Sequence, residues 1–175
     1  MGSLFYFNIA TLPLLMSRLK VYSLIEATRK IKRYCAYQER CHQEIVQKLR
    51  TYGADSDTVD HIIAHLIAEN YLNEERFAKR FVSGKFEIKK WGKNKMIFEL
   101  KARNIPSYII QYALNEIEEN KYCDTLDALA RKRLAAITGV DLQKRKKKLA
   151  DYLLRRGWER HLVYDKIQEL TKQIL

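Results

Sequence analysis

Apolar residues recur at the same spacing around three points of the chain, Gly53, Asn104 and Gly157. Four, seven and eight positions before these points stand Leu49, Val46 and Ile45, then Leu100, Ile97 and Met96, then Leu153, Ala150 and Leu149. Six, ten and thirteen positions after them stand Val59, Ile63 and Leu66, then Ile110, Leu114 and Ile117, then Val163, Ile167 and Leu170. This self-similarity predicts a tandem array of structural repeats.

Local rules predict how each repeat is built. Offsets of three, four and seven lie on one helical face, so each of the three points separates two amphipathic helices joined by a tight turn. Glycine or asparagine suits the left-handed residue of such a turn. Ser56 and Pro106 mark the starts of the following helices, and Ser23 with Glu26 has the spacing of a capping box. A further helix is predicted before each pair, at 23–38, 73–90 and 124–137.

The pattern therefore predicts an all-α fold of three tandem three-helix repeats that form an elongated, curved helical array. We expect an N-terminal extension at 1–22 and repeats at 23–72, 73–120 and 121–175. The composition agrees with this fold. Hydrophobic residues make up 47% of the 175 residues, enough for a core, while two prolines and six glycines leave little material for strands or long linkers.

The N-terminus is treated separately because it lies outside the repeated spacing. Residues 4–16 are mostly apolar, but they are too few to span a membrane and have neither the basic start nor the cleavage site of a signal peptide. We expect a cytoplasmic protein that does not enter a membrane. Met16 precedes the first predicted helix closely, which favours a translation start assigned too far upstream.

The three cysteines, Cys35, Cys41 and Cys123, have no spacing typical of a metal site. Their odd number and the expected cytoplasmic location favour buried or incidental thiols. The two nearest lie six positions apart on one predicted helical stretch.

The net charge of +12 points to an acidic partner. The surplus of basic residues is 7 in residues 121–175 and 5 in residues 1–91, whereas residues 92–120 are balanced. Two clusters stand out and consist of Arg29, Lys30, Lys32 and Arg33, and of Lys144, Arg145, Lys146, Lys147 and Lys148. Such clusters favour binding to a polyanion, and the alternative is a solvated helix surface without a specific partner.

Aromatic residues near basic ones allow two interpretations. Tyr34, Tyr37, Tyr52, Trp91 and Trp158 have basic neighbours in the sequence, and such rings can stack on the bases of a single strand. The more common role of these residues is packing between helices, which we favour. Phe77 and Phe81, one helical turn apart, are expected in the core.

No motif in the chain indicates catalysis. The glycines form no phosphate-binding loop. His61 and His65 have the spacing of helical zinc ligands, but Ile62 stands where a zinc protease has its glutamate, and no third ligand is evident. Asp55, Asp57 and Asp60 begin like a calcium loop but lack its glycine, so helix capping explains them better. We expect no enzyme, cofactor or metal.

The middle and the end of the chain resemble the RecX family of bacterial recombination regulators. The resemblance rests on 71–82, Lys90-Trp-Gly92, Ile105-Pro106 and Arg155-Arg-Gly-Trp158, and covers residues 23–170. Its motif residues, which we expect to be mainly structural, are Tyr71, Leu72, Arg76, Phe77, Ala78, Gly92 and Gly157. The sequence departs from the family pattern at three positions, Glu74, Asn104 and Trp158, where the family usually has aspartate, glycine and phenylalanine.

The resemblance implies a partner and a function. Members of this family are regulators without an active site of their own that bind the recombinase RecA, especially its filament on single-stranded DNA. They restrain strand exchange, ATP hydrolysis and SOS co-protease activity. We expect a monomer with weak direct binding to DNA, in which the two basic clusters together with Arg155 and Arg156 contact RecA or DNA. Two alternatives stay open, a helical-repeat module that binds nucleic acid without RecA and an enzyme whose site has no recognisable motif.

The position of residues 1–15 outside the repeats leads to a first prediction. Deleting them is expected to leave thermal stability and partner binding nearly unchanged, because exposed termini contribute little unless they are tied down. Thermal unfolding and a binding assay of the shortened chain check this. A loss of folding would show instead that this segment packs on the first repeat.

Overall fold

The computed structural model describes residues 22–172, which form nine α-helices and, within that range, no strand. The helices are α1 Leu24–Tyr37, α2 His42–Thr51, α3 Ser56–Ala68, α4 Glu74–Lys89, α5 Lys93–Lys101, α6 Ser107–Leu114, α7 Glu119–Ala135, α8 Leu142–Arg155 and α9 Arg160–Lys172. We call α1–α3 unit 1, α4–α6 unit 2 and α7–α9 unit 3. The most closely packed pairs of helices all lie within one unit. The predicted all-α array of three-helix repeats is confirmed.

The three residues around which the apolar spacing repeats are turn residues, as predicted. Gly53, Asn104 and Gly157 have φ angles of 79°, 59° and 83° and follow the second helix of units 1, 2 and 3. The left-handed conformation costs glycine nothing and is tolerated by asparagine, which explains why these two residue types recur there. Each turn reverses the chain so that two amphipathic helices face one another.

Most predicted helix starts are found within one residue of their expected positions. Ser23 and Glu26 form the predicted capping box, in which each side chain bonds to the backbone N–H of the other. At α3 the capping residue is Asp55, in agreement with the capping role predicted for the aspartates, and the hydroxyl of Ser56 does not cap the helix. The carboxylate of Asp55 accepts from the backbone N–H of Thr58 at 2.9 Å, and Ser56 is the first helical residue.

The start of α7 differs most from the prediction. The helix begins at Glu119, five residues before the predicted start at Asp124. A buried face explains the difference, because Tyr122, Leu126, Ala130 and Leu134 recur every four residues and all point into the core. The helix must begin early enough to place Tyr122 on that face.

The buried residues form two separate cores. The first is confined to unit 1 and the segment that follows α3, from Ala27 to Leu72. The second runs without a break through units 2 and 3, from Phe77 to Leu170. Cys41 is the exception, since it belongs to unit 1 but is fully buried in the second core. Units 2 and 3 therefore form one packed body, to which unit 1 is joined.

All three cysteines are free, and two of them are buried. Cys35 lies in α1 and Cys41 directly precedes α2, so the expected single helical stretch is interrupted between them. Burial raises the pKa of Cys35 to about 11 and also raises that of Cys41. Both thiols therefore stay protonated near neutral pH, in agreement with a packing role.

The predicted N-terminal extension overlaps the described chain only at Tyr22. Its backbone N–H donates to the carbonyl of Tyr52 at 3.1 Å, and the two rings meet edge to face with centroids 5.2 Å apart. Tyr22 thus packs on unit 1, and the remainder of the predicted extension lies outside the described residues. None of the described helices has the length and apolar character required to cross a bilayer.

Equivalent leucines in the three units provide a test of the repeat. Leu49, Leu100 and Leu153 are each fully buried, so replacing each with alanine is expected to lower the free energy of unfolding by about 2–5 kcal/mol. The control Ile67→Ala, at a side chain that is 55% exposed, should change it by less than about 0.5 kcal/mol. Denaturant unfolding followed by circular dichroism measures both. If any one of the three leucine variants were as stable as the Ile67→Ala control, the equivalence of the three positions would be contradicted.

Candidate interaction surfaces and the junctions that position them

The basic side chains of α8 differ in exposure, because the helix turns some of them to the surface and others partly into the protein. Lys144, Lys148 and Arg155 lie four and seven positions apart, share one face and are exposed, with Lys147 beside them. Lys144 forms an ion pair with Asp141 at 3.1 Å. Within residues 22–172, Lys147 and Lys148 have no ion-pair partner. We call these four cations the α8 stripe.

Two arginines that the sequence suggested for partner binding are engaged within the protein. Arg145 is half-buried, and its Nη2 donates to the carbonyl of Leu134 at 3.3 Å. Arg156 donates from Nη1 to the carbonyl of Lys89, and its guanidinium lies 4.7 Å from the ring centre of Tyr152. Both side chains are held in place by helix ends and a ring. We therefore leave them out of the candidate surface.

The basic cluster of α1 borders a groove between α1 and α3. The groove has a volume of about 560 Å³, and the aliphatic residues that line it, which we call its floor, are Leu24, Ile25 and Ile62. Ile25 is 81% exposed, which is unusual for an isoleucine. Arg29 and Arg33 stand on its rim, are exposed, and lack an ion-pair partner among the described residues. We call this feature the unit 1 groove.

The two lysines of the α1 cluster contact other groups of unit 1. Lys30 Nζ lies 4.7 Å from the ring centre of Tyr22. Lys32 Nζ forms an ion pair with Glu69 at 2.5 Å and lies 5.4 Å from the ring centre of Tyr71. The hydrogen bond from Lys32 lowers the pKa of Glu69. Arg29 and Arg33 are therefore the cations of this cluster that are available to a partner.

The two histidines considered as zinc ligands lie on the opposite wall of the unit 1 groove. His61 is exposed, and His65 Nε2 lies 3.1 Å from the carboxylate of Glu69. In the part of the chain that the structure describes, no three His, Cys, Asp or Glu side chains come together in a way that would hold a metal ion. Their visible role is to line the groove.

A second groove was not anticipated from the sequence. It encloses about 540 Å³ at the boundary of units 1 and 2, and Tyr37 and Ile88 line it with 86% and 76% exposure. Arg80 and Lys89 add exposed positive charge. The spacing of Arg80, Gly84 and Ile88 by four positions marks one face of α4, but a face that mixes a cation, a glycine and an isoleucine gives no clear signal in a sequence.

Two glycines of the family motif join units 2 and 3. The backbone N–H of Gly92 donates to the carbonyl of Arg156 at 2.9 Å, and that of Asn94 donates to the carbonyl of Gly157 at 3.1 Å. A Cβ atom on Gly92 would overlap the carbonyl of Gly157, and one on Gly157 would overlap the backbone of Lys95. The two chain segments touch backbone to backbone, which requires glycine on both sides.

Aromatic side chains complete this second junction. Trp158 and Tyr122 are buried, with ring centres 4.5 Å apart. Tyr122 donates to the carboxylate of Glu159 at 2.7 Å and accepts from the backbone N–H of Lys93 at 2.8 Å. Burial, followed by the bond to Glu159, raises the pKa of Tyr122, so the phenol keeps its proton. Trp158 donates to the carbonyl of Lys90 at 3.2 Å and is a packing residue that no base can reach.

Polar side chains dominate the first junction, between units 1 and 2. Arg76 donates from Nε to the carboxylate of Glu39 at 2.6 Å, and from Nη1 and Nη2 to the side chain and the carbonyl of Asn70 at 3.0 and 2.9 Å. Arg103 lies 3.9 Å from Glu44 of α2. This junction therefore relies on partly exposed ion pairs and on the buried thiol of Cys41.

The remaining motif residues connect the two cores. Leu72 is buried in the first core, with the half-buried ring of Tyr71 packed against it. Phe77 and Ala78 are buried in the second core, and Phe81 packs against that core from a half-buried position. The segment that carries the motif is thus the passage of the chain from one core to the other.

Family models match the chain in three segments that follow its three units. Residues 29–66 match the first three-helix domain of RecX, residues 73–114 the second and residues 120–167 the third. A protein of Prosthecochloris aestuarii named Regulatory protein RecX is 30% identical over 137 residues, which cover 78% of this chain and 88% of the relative. A protein of Bacillus cytotoxicus with the same name is 25% identical over 140 residues, and the match covers 80% of this chain and about half (52%) of that relative.

Solved structures show the same fold. A crystal structure described as that of regulatory protein RecX superimposes with a TM-score of 0.75 at 20% sequence identity, and the match covers 83% of this chain and 73% of that one. Another, of RecX from Lactobacillus salivarius, gives a TM-score of 0.73 at 22% identity and covers 85% of this chain and 96% of that one.

The contact between the two glycines leads to a prediction with a matched control. Gly92→Ala is expected to lower the free energy of unfolding by about 1–3 kcal/mol, because the added methyl group meets backbone that cannot move aside. Gly84→Ala, inside α4 with no atom within 4 Å of the new methyl group, should raise it by about 0.5–1 kcal/mol. Urea unfolding measures both. If Gly92→Ala left the free energy of unfolding unchanged or raised it, the junction would not depend on this contact.

Proposed function

The chain belongs to the RecX family of regulatory proteins, and from this premise we propose that it binds the recombinase RecA and its filament on single-stranded DNA. We propose that it regulates, and mainly inhibits, three activities of RecA, which are ATP hydrolysis, strand exchange and SOS co-protease activity. The protein acts in the cytoplasm as a monomer. The observation that carries the proposal is that family models match all three units, while Lys147 and Lys148 of α8 are exposed and have no ion-pair partner within residues 22–172.

Inhibition in this proposal comes from binding and needs no active site. A protein that binds one state of a filament more tightly than another shifts the population towards that state, by an amount equal to the difference in binding free energy. A regulator that favours a filament state unable to hydrolyse ATP or to extend therefore lowers both activities. The surfaces described above are grooves and cationic faces, which suit such binding.

The α8 stripe is the proposed contact to DNA phosphates. Lys147 and Lys148 are exposed and have no ion-pair partner within the described range, so binding a phosphate would not require breaking an internal ion pair. The other two cations of the stripe have internal partners. Lys144 pairs with Asp141, in an exposed ion pair of low energy, and Arg155 donates from Nε to the carbonyl of Asp151 at 3.1 Å. Among the described residues, no large exposed apolar side chain lies between these cations, which fits contact with a charged backbone.

The second junction supports the proposal by fixing the stripe relative to unit 2. The backbone contact of Gly92 with Gly157 and the buried pair of Tyr122 and Trp158 hold units 2 and 3 in close contact. A rigid surface loses little conformational entropy when it binds, so more of its interaction energy appears as affinity.

Charge reversal on the stripe tests the proposal. The double variant Lys147→Glu, Lys148→Glu is expected to weaken inhibition of the single-strand-dependent ATPase of RecA. If each lysine contacts one phosphate, the dependence of log affinity for the filament on log salt concentration should become less steep, by about 0.7 per lysine. The matched control, Lys132→Glu with Lys172→Glu, has the same net charge and changes exposed lysines of unit 3 outside α8. It should inhibit nearly as well as the unchanged protein.

The outcomes separate the proposed function from its alternative. The unchanged protein should bind the filament more tightly than naked single-stranded DNA, because complementarity to RecA supplies specificity while charge mainly speeds encounter. Equal affinity for both, together with no effect on the ATPase at near-stoichiometric concentration, would favour the helical module that binds nucleic acid directly. Circular dichroism of each variant checks that the helices still form.

A further inference from the structure

The unit 1 groove differs in chemistry from the α8 stripe. Its floor consists of Leu24, Ile25 and Ile62, and both Leu24 and Ile25 expose a large part of their side chains, 45% and 81%. Isolated exposed aliphatic residues are common, but two adjacent ones on the floor of a groove indicate a binding surface. A surface that only attracted phosphates would have no use for them.

We propose that the unit 1 groove binds an acidic amphipathic segment of RecA, with the aliphatic side chains of that segment on the floor and its carboxylates on the rim. This inference rests on the proposed function and deepens it. It assigns the recognition of protein to unit 1, whereas the α8 stripe of unit 3 contacts DNA.

The aliphatic floor favours protein over nucleic acid. Proteins that bind single strands stack successive bases chiefly on aromatic side chains, to which arginine only adds a cation–π contribution. Among the described residues that line the groove there is no phenylalanine, tyrosine or tryptophan. Leucine and isoleucine side chains instead fit the apolar face of a partner segment, as in grooves that receive amphipathic helices.

The rim selects for negative charge. Arg29 and Arg33 are exposed and without an ion-pair partner in residues 22–172, and Lys32 is the third cation that lines the groove. Glu69, which lies near it, already pairs with Lys32 and His65. A partner carboxylate would thus meet unpaired arginines, which bind carboxylates through two parallel hydrogen bonds.

The spacing of the groove residues suits a helical partner. Ile25, Arg29 and Arg33 follow one another at intervals of four along α1, so they form a row with one residue per turn. A helix that lies along α1 presents its own side chains at the same interval. Carboxylates one turn apart on such a helix can pair with Arg29 and Arg33 while an aliphatic residue at the preceding turn contacts Ile25.

The test compares variants in binding to RecA without DNA. Ile25→Glu and Arg33→Glu are each expected to weaken binding about tenfold, as is typical for the loss of a central interface contact. Ile67→Glu and Arg50→Glu are matched controls, because both are exposed residues of unit 1 that do not line the groove. They should change affinity less than twofold. Thermal unfolding checks that all four variants fold like the unchanged protein.

A second measurement identifies the occupant. A photoreactive benzoylphenylalanine at position 25 should cross-link to RecA, and mass spectrometry of the product should place the cross-link in a segment rich in Asp and Glu with aliphatic residues between them. A cross-link to a basic or uncharged segment of RecA would overturn the proposal that the segment in the groove is acidic. A cross-link to single-stranded DNA in place of RecA would make the groove a nucleic-acid site and overturn the proposal.

The remaining outcomes distinguish this inference from the proposed function. If the unchanged protein binds RecA and Ile25→Glu binds equally well, the groove is not the docking site, and the proposed function stands. If the unchanged protein does not bind RecA with or without DNA, the proposed function and the docking role of the groove are both wrong. If Ile25→Glu weakens binding to naked single-stranded DNA as much as binding to RecA, the division of roles between units 1 and 3 is wrong.

Discussion

At the second junction, the backbone of Gly92 lies against the backbone of Gly157 with no side chain between them. Hydrogen bonds from Gly92 and Asn94 hold this contact, and the short distance lets Trp158 reach the carbonyl of Lys90 and pack against the ring of Tyr122. The continuous core of units 2 and 3 depends on that spacing. A single methyl group on either glycine would push the two units apart and separate the aromatic pair.

The first junction follows the same plan with different residues. Cys41 directly precedes the second helix of unit 1, as Gly92 directly precedes that of unit 2, and Arg103 in the turn of unit 2 lies 3.9 Å from Glu44 of α2. Cys41 has a side chain, however, which is buried in the second core, and the polar contacts of this junction are the ion pairs of Arg76 with Glu39 and of Arg103 with Glu44. Partly exposed ion pairs add little stability, so unit 1 is joined to the rest less firmly than units 2 and 3 are joined to each other.

The repeat could be predicted from the sequence because it depends on local rules. A helical face needs apolar residues at fixed intervals, and a left-handed turn needs glycine or asparagine, so the positions of Leu49, Gly53 and their counterparts were visible. The roles of individual cations could not be predicted from the sequence. Arg156 and Lys32 are bound by groups far away in the chain, and no local pattern reveals such contacts. The unit 1 groove was missed for the same reason, since its two walls come from helices separated by another helix.

The separation of the two cores has a consequence for the order in which the chain acquires structure on the ribosome. Unit 1 has its complete core once Leu72 has emerged, so it can fold while the rest is still being made. Unit 2 shares its core with unit 3, so its apolar residues stay uncovered until Trp158 and Leu170 are available. At typical synthesis rates the intervening stretch of about 100 residues takes roughly 5–20 seconds. During that interval unit 2, and not the N-terminal unit, is the part of the nascent protein that a chaperone would have to shield from aggregation.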